Sequence, residues 1–199
     1  MSVEVEEQIR QAHAAGDLRT AATVALSAYR AEVYAFLVVR LAGEAAAYDV
    51  LSQVSEDLWR GLPGFRFECS FRTWLYALAR HAALRHERLV ANQPRRRRGL
   101  SSMPELPAEL RSSTRPYLRT DVKDRFATLR RSLSPDEQTL LVLRVDRDLP
   151  WEDVARIMND AALEDAAALA RATATLRQRF RTLKKRLAAK ARAEGLLDR

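Results

Sequence analysis

Apolar residues recur at helical spacing along residues 21–41, where Val24, Ala28, Ala31, Ala35, Val38 and Val39 mark one stripe and Tyr34, Phe36 and Leu37 widen it. The pattern predicts a helix there and a second over residues 49–60. In the second, Val50, Leu51, Val54 and Leu58 point inward and Asp49, Gln53, Glu56 and Asp57 outward. Gly61-Leu62-Pro63-Gly64 ends it, because proline and two glycines do not continue helical hydrogen bonding. A short loop over residues 65–70 leads to Ser70, a candidate N-cap for a third helix reaching about Leu89. Phe71, Trp74, Leu75, Leu78, Ala82 and Leu89 are its expected inner face.

The periodicity lapses over residues 90–116, which hold Pro94, Pro104, Pro107, Pro116, several serines and four consecutive arginines at 95–98. A flexible basic linker is the expectation, with the arginine run either functional or merely solubilising. Helical spacing resumes over residues 121–133. Ser134-Pro135-Asp136-Glu137 then has the form of a capping box with proline at the first helical position. Leu140, Leu141 and Leu143 face inward, a turn follows over residues 146–150, and Val154, Ala155, Ile157 and Met158 form the inner face of residues 151–158. Residues 175–192 carry Leu176, Phe180, Leu183 and Leu187 at spacings of four, three and four, so a helix-turn-helix is a candidate. The intervening residues 160–174 are themselves helix-favouring. They either merge with 175–192 into one rod of about 30 residues and about 45 Å or form a separate short helix. The expected fold is all-α, with a helical domain over 1–92, the linker over 93–120, and a helix-turn-helix domain over 121–199 with an atypical insertion at 160–174.

Charge changes the picture. The chain has 34 Lys and Arg against 26 Asp and Glu, a net charge of +8. Residues 1–92 are near neutral, whereas residues 175–192 carry eight cations and no acid. Such a segment is either a phosphate-binding face or a solvated amphipathic one. A single cysteine, Cys69, excludes a disulfide framework and a cysteine-based zinc site and fits a reducing cytoplasm. No uninterrupted apolar run reaches the ~18 residues that span a bilayer, and the Glu-rich start lacks a signal peptide's apolar stretch. There is no phosphate-binding glycine loop or nucleophile motif, and His13, His81 and His86 lack metal-ligand spacing. A non-enzymatic cytoplasmic protein with no cofactor and no membrane span is expected.

Three stretches resemble a known family. The string from Asp49 to Arg60, then Leu62-Pro63-Gly64-Phe65-Arg66, then Cys69-Ser70-Phe71-Arg72-Thr73-Trp74-Leu75-Tyr76-Ala77-Leu78-Ala79-Arg80, is similar to region 2 of bacterial sigma factors of the two-domain, extracytoplasmic-function type. Leu133-Ser134-Pro135-Asp136-Glu137 and Leu149-Pro150-Trp151-Glu152-Asp153-Val154-Ala155-Arg156-Ile157 resemble the first half of region 4. Thr175-Leu176-Arg177-Gln178-Arg179-Phe180 through Lys184-Lys185-Arg186-Leu187 resembles its recognition helix.

The resemblance implies a protein that binds core RNA polymerase and directs promoter-specific initiation, with promoter DNA as second partner and an anti-sigma factor as a further candidate. Asp49, Gln53 and Glu56 would meet the coiled coil of the polymerase β′ subunit, although Asp49 is also simply a favourable charge in a first helical turn. The minus-10 element would meet Phe65, Arg66, Phe67, Arg72, Arg80, His81, Arg85 and Arg88. Strand opening needs rings to receive unstacked bases and cations for the phosphates. His81 and Arg85 depart from the residues common in the family, which points to an altered base preference. Trp74 and Phe71 read as core, and Cys69 as an inert small residue. A minus-35 element would meet Arg177, Gln178, Arg181, Lys184 and Lys185. The competing function is a helix-turn-helix regulator that binds duplex DNA unaided.

Overall fold

A computed structural model describes residues 2–92, 128–159 and 165–196, which fall in two compact units, Met1–Ser112 and Ser113–Arg199. The expected linker, including its arginine run, and residues 160–164 of the insertion lie outside the described residues. Among the described residues every regular element is helical.

Among its described residues the first unit has four α-helices: α1 (Ser2–Ala14), α2 (Leu18–Leu41), α3 (Glu44–Gly61) and α4 (Phe71–Ala91). Gly16, at φ +76°, makes the turn between α1 and α2, and Asp17 caps α2 by accepting from the Thr20 amide at 3.0 Å. α2 is central and packs on each of the other three helices. Its buried residues are Ala21, Ala22, Ala25, Tyr29, Val33, Tyr34, Phe36, Leu37 and Arg40, whereas Ala28, Ala31 and Val39 of the expected stripe face solvent. Alanines surround this helix and hardly bias its rotation, so the large side chains of Tyr29, Val33, Phe36 and Leu37 set which face is buried. By length and composition α2 could cross a membrane, but its apolar face forms the core of this unit and its Arg40 pairs with Glu87 of α4 at 3.1 Å.

In α3, Val50, Leu51, Val54 and Leu58 are buried as expected, joined by Ala47. α4 begins at the expected cap, with Ser70 Oγ accepting from the Thr73 amide at 3.0 Å. Its inner face is Phe71, Leu75, Tyr76, Ala79, Ala82 and Ala83, with Phe36 meeting Tyr76 edge-on at 5.5 Å. Leu89, expected inside, is 61% exposed because everything from Arg88 to the end of α4 is exposed; Trp74 and Leu78 are half-buried.

The second unit holds α5 (Pro135–Leu141), a π-helical turn (Val142–Asp146), α6 (Trp151–Met158) and α7 (Ala166–Ala193). The capping box is complete: the Glu137 amide donates to Ser134 Oγ at 3.3 Å, and the Ser134 amide donates to the Glu137 carboxylate at 3.0 Å. Arg130 holds Asp146 through two hydrogen bonds of 2.8 and 2.9 Å, and Arg144 bonds both Asp148 and the Leu149 carbonyl. These contacts fix the turn into α6, where Asp148 adopts φ +48°. Leu143, Val154 and Ile157 are fully buried, α6 packs on α7 where Leu176, Phe180 and Leu183 are buried, and Trp151 meets Phe180 edge-on at 5.4 Å. Leu187 is half-buried. α7 is continuous from Ala166, capped by Asp165, and its 28 residues make a rod of about 42 Å.

Burial opposes ionisation of Glu137, but the Ser134 amide, Arg186 and the Ser134 hydroxyl outweigh it and hold the carboxyl below its ordinary value. The stabilisation is therefore complete above the unfolded-state value and is lost as pH falls through the lower folded-state one. Glu137→Gln is expected to flatten the fall in Tm between about pH 6 and about pH 3. An acid limb as steep as that of the parent protein would contradict this.

Candidate nucleic-acid interface

The loop between the 3-10 turn (Leu62–Gly64) and α4 is built from rings. Phe65 stacks on Trp74 at 4.6 Å and 20°, meets Phe71 edge-on at 5.3 Å, and lies 4.6 Å from Phe67. Gly61 makes the Trp74 position available, since a β-carbon there would approach the indole to 2.9 Å. Phe67 has φ +56°, a left-handed conformation that costs a non-glycine residue about 1–2 kcal/mol. Phe65 and Phe67 are half-buried, and Arg66 between them is exposed.

α1 holds this loop from one side. His13 Nε2 donates to the Leu62 carbonyl at 2.8 Å, and its ring meets Phe67 edge-on at 5.1 Å. The Arg10 guanidinium lies over the Phe67 ring at 4.6 Å. Glu6 accepts from the Phe71 amide at 2.7 Å, the Arg72 amide at 3.0 Å and the Tyr29 hydroxyl at 2.9 Å. Its charge therefore sits on the positive end of α4, against amides that have no partner within the helix.

The eight expected minus-10 residues are differently placed. His81, Arg85 and Arg88 share one face of α4, with His81 half-buried and the two arginines exposed. Arg85 is paired with Asp57 of α3. Arg72 points away from that face and grips Glu32 of α2 through two hydrogen bonds of 2.7 and 2.8 Å; that hydrogen bonding, against an opposing burial cost, raises its already high pKa. Arg80 is 4% exposed and lies in the interior. Spacing alone did not separate Arg80 from its exposed neighbours; its one-residue offset from His81 puts it with Ala79 and Ala83 on the buried face.

On α3, Asp49, Gln53 and Glu56 are all exposed. Gln53 donates to Asp57 at 3.2 Å, and Arg60 pairs with Glu56 at 3.4 Å. Trp59, 54% exposed, lies on the same helix, an apolar feature that the charge pattern had hidden. On α7, Arg177, Gln178, Arg181, Lys184 and Lys185 are exposed, whereas Arg186 is paired with Glu137 of α5. Among the described residues no His, Cys, Asp and Glu cluster could hold a metal ion.

The Sigma-70 region 2 family matches residues 25–90. The RNA polymerase sigma-H factor of Pseudomonas aeruginosa is 32% identical over 133 residues, covering 61% of this chain and 67% of that protein. The chain belongs to the sigma-70 family of RNA polymerase sigma factors. It is thus a transcription initiation factor and not an enzyme. Within this sigma factor, α3, the loop and α4 as far as Val90 fall inside the region 2 match, whereas α1 precedes it.

The sequence missed Glu6, Arg10 and His13. Val5, Ile9 and Ala12 form a short amphipathic repeat that could have revealed the helix, but no local signal tied it to a loop more than fifty residues away. Gly61→Ala should displace Trp74 and loosen its stack on Phe65. A changed tryptophan emission and a lower Tm are expected; unaltered emission would show that the indole does not depend on that space.

Proposed function

We propose that this sigma factor reads and opens the minus-10 element with the loop over residues 65–70 and the outer face of α4. The observation that supports this is the loop itself: two half-buried rings flanking an exposed arginine, one ring held in a left-handed backbone conformation, at the head of a helix whose outer face carries His81, Arg85 and Arg88. A flipped base needs an aromatic surface, and the displaced strand needs nearby cations. Phe65 and Phe67 offer the surface, and Arg66, Arg85 and Arg88 the cations. Arg72 and Arg80, turned into the fold, instead support α4 from behind.

Core RNA polymerase docks, in this reading, on the exposed side of α3 through Asp49, Gln53 and Glu56, with Trp59 as the large apolar anchor that interfaces favour. Promoter duplex at minus-35 meets Arg177, Gln178, Arg181, Lys184 and Lys185 of α7. The two-domain, extracytoplasmic-function subtype and an anti-sigma partner belong to the same proposal.

Reconstituted holoenzyme tests both contacts. Phe67→Ala and Arg66→Ala should each reduce permanganate reactivity of minus-10 thymines by about tenfold or more while core polymerase binding is retained. Normal opening by both variants would remove the loop from the mechanism. Neutralising Arg177 and Arg181 together should lower the salt slope of promoter binding by about 2. An unchanged slope would exclude α7 as a phosphate-contacting face.

A further inference from the structure

We infer that α1 is the positioning element of the minus-10 loop, acting through one face on which Glu6, Arg10 and His13 stand at spacings of four and three. This rests on the reading that the loop captures a base. All three side chains reach the same short stretch of chain. His13 fixes its start through the Leu62 carbonyl, Arg10 and His13 contact the Phe67 ring on its face and edge, and Glu6 fixes its end through the amides of Phe71 and Arg72.

The strained backbone at Phe67 gives these contacts their meaning. A phenylalanine at φ +56° would relax to an ordinary conformation unless its surroundings over-determined it, and such residues gather at ligand-gripping and switching sites. Phe65 supplies one neighbour from within the loop, at 4.6 Å. Its further ring contacts among the described residues, from His13 and Arg10, come from α1. Ile9, fully buried, anchors that helix, so the Arg10 and His13 positions are rigid relative to the loop. Arg10 itself is exposed and carries no core packing, which separates its role from stability. A base arriving at Phe67 therefore meets a ring whose orientation is set in advance, and preorganisation of this kind strengthens capture by reducing the ordering left to binding.

The test uses the full chain with core polymerase and a set of promoters substituted singly at each minus-10 position. Arg10→Ala and His13→Ala should lower open-complex formation on the preferred promoter roughly five- to tenfold, and narrow its advantage over promoters changed at one or two positions. Core affinity should be unchanged for both, and Tm unchanged for Arg10→Ala. In a Phe67→Ala background, Arg10→Ala should have no further effect, because its influence passes through that ring. A uniform loss across all promoters, or additive effects in the double variant, would overturn the positioning role. If Phe67→Ala alters discrimination but Arg10→Ala and His13→Ala do not, the α1 inference alone fails. If Phe67→Ala changes nothing, the reading of the loop fails and the inference with it.

Discussion

The head of α4 depends on one carboxylate. The first amides of any α-helix have no partner within the helix, and those of Phe71 and Arg72 point at the junction where the loop, α1 and α2 converge. Glu6 answers both amides and takes the Tyr29 hydroxyl as well, while Ser70 answers the Thr73 amide. Three helices, α1, α2 and α4, are thereby referred to a single point. Phe71 can be fully buried beside polar backbone only because that backbone is satisfied, and the ring cluster of Phe65, Phe71 and Trp74 grows outward from it. Without the carboxylate, burial of Phe71 would strand two amides next to an apolar core.

Electrostatics divides the cations by role. Arg40 and Arg72 each pair with an acid on a neighbouring helix and so stitch α2 to α4, whereas Arg85 pairs with Asp57 of α3 yet stays half-exposed on the outer face of α4. The Arg72–Glu32 pair is two-pronged and largely shielded, the geometry in which an ion pair contributes most. Exposed pairs such as Arg60–Glu56 contribute little. The positive field of the second unit has another origin: along α7 the exposed cations outnumber local acids, and Arg186 is tied to the capping carboxylate of α5. Net charge in this chain thus measures neither how many cations face a ligand nor where they lie.

The helices were legible wherever apolar residues were large and widely spaced. The inner face of α3 and the caps at Ser70 and Ser134 follow from side-chain size and short-range hydrogen bonding, which a linear pattern records. The rotation of α2 was not legible, because Ala28 and Ala31 look as apolar as Ala21 and Ala25 and only packing distinguishes them. Leu89 misled for the opposite reason: it keeps the right spacing on a stretch of helix that lies open to solvent. At the candidate site, the rings and exposed cations could be named from the motif. The inward turn of Arg72 and the burial of Arg80 could not, since both depend on partners and neighbours brought together only by folding.

The length of α7 before Arg177 has a geometric consequence. Arg177 stands eleven residues into the helix, about 16 Å from its start, and the residues before it are mostly alanine. A straight rod touches the curved floor of a duplex groove tangentially, near one place along its length. On this helix the cationic patch sits at mid-shaft, so any duplex that engaged it would lie alongside the shaft instead of meeting its tip. The leading turns would then overhang the sugar-phosphate rail with a mostly small-residue surface whose one charge is the exposed Arg171.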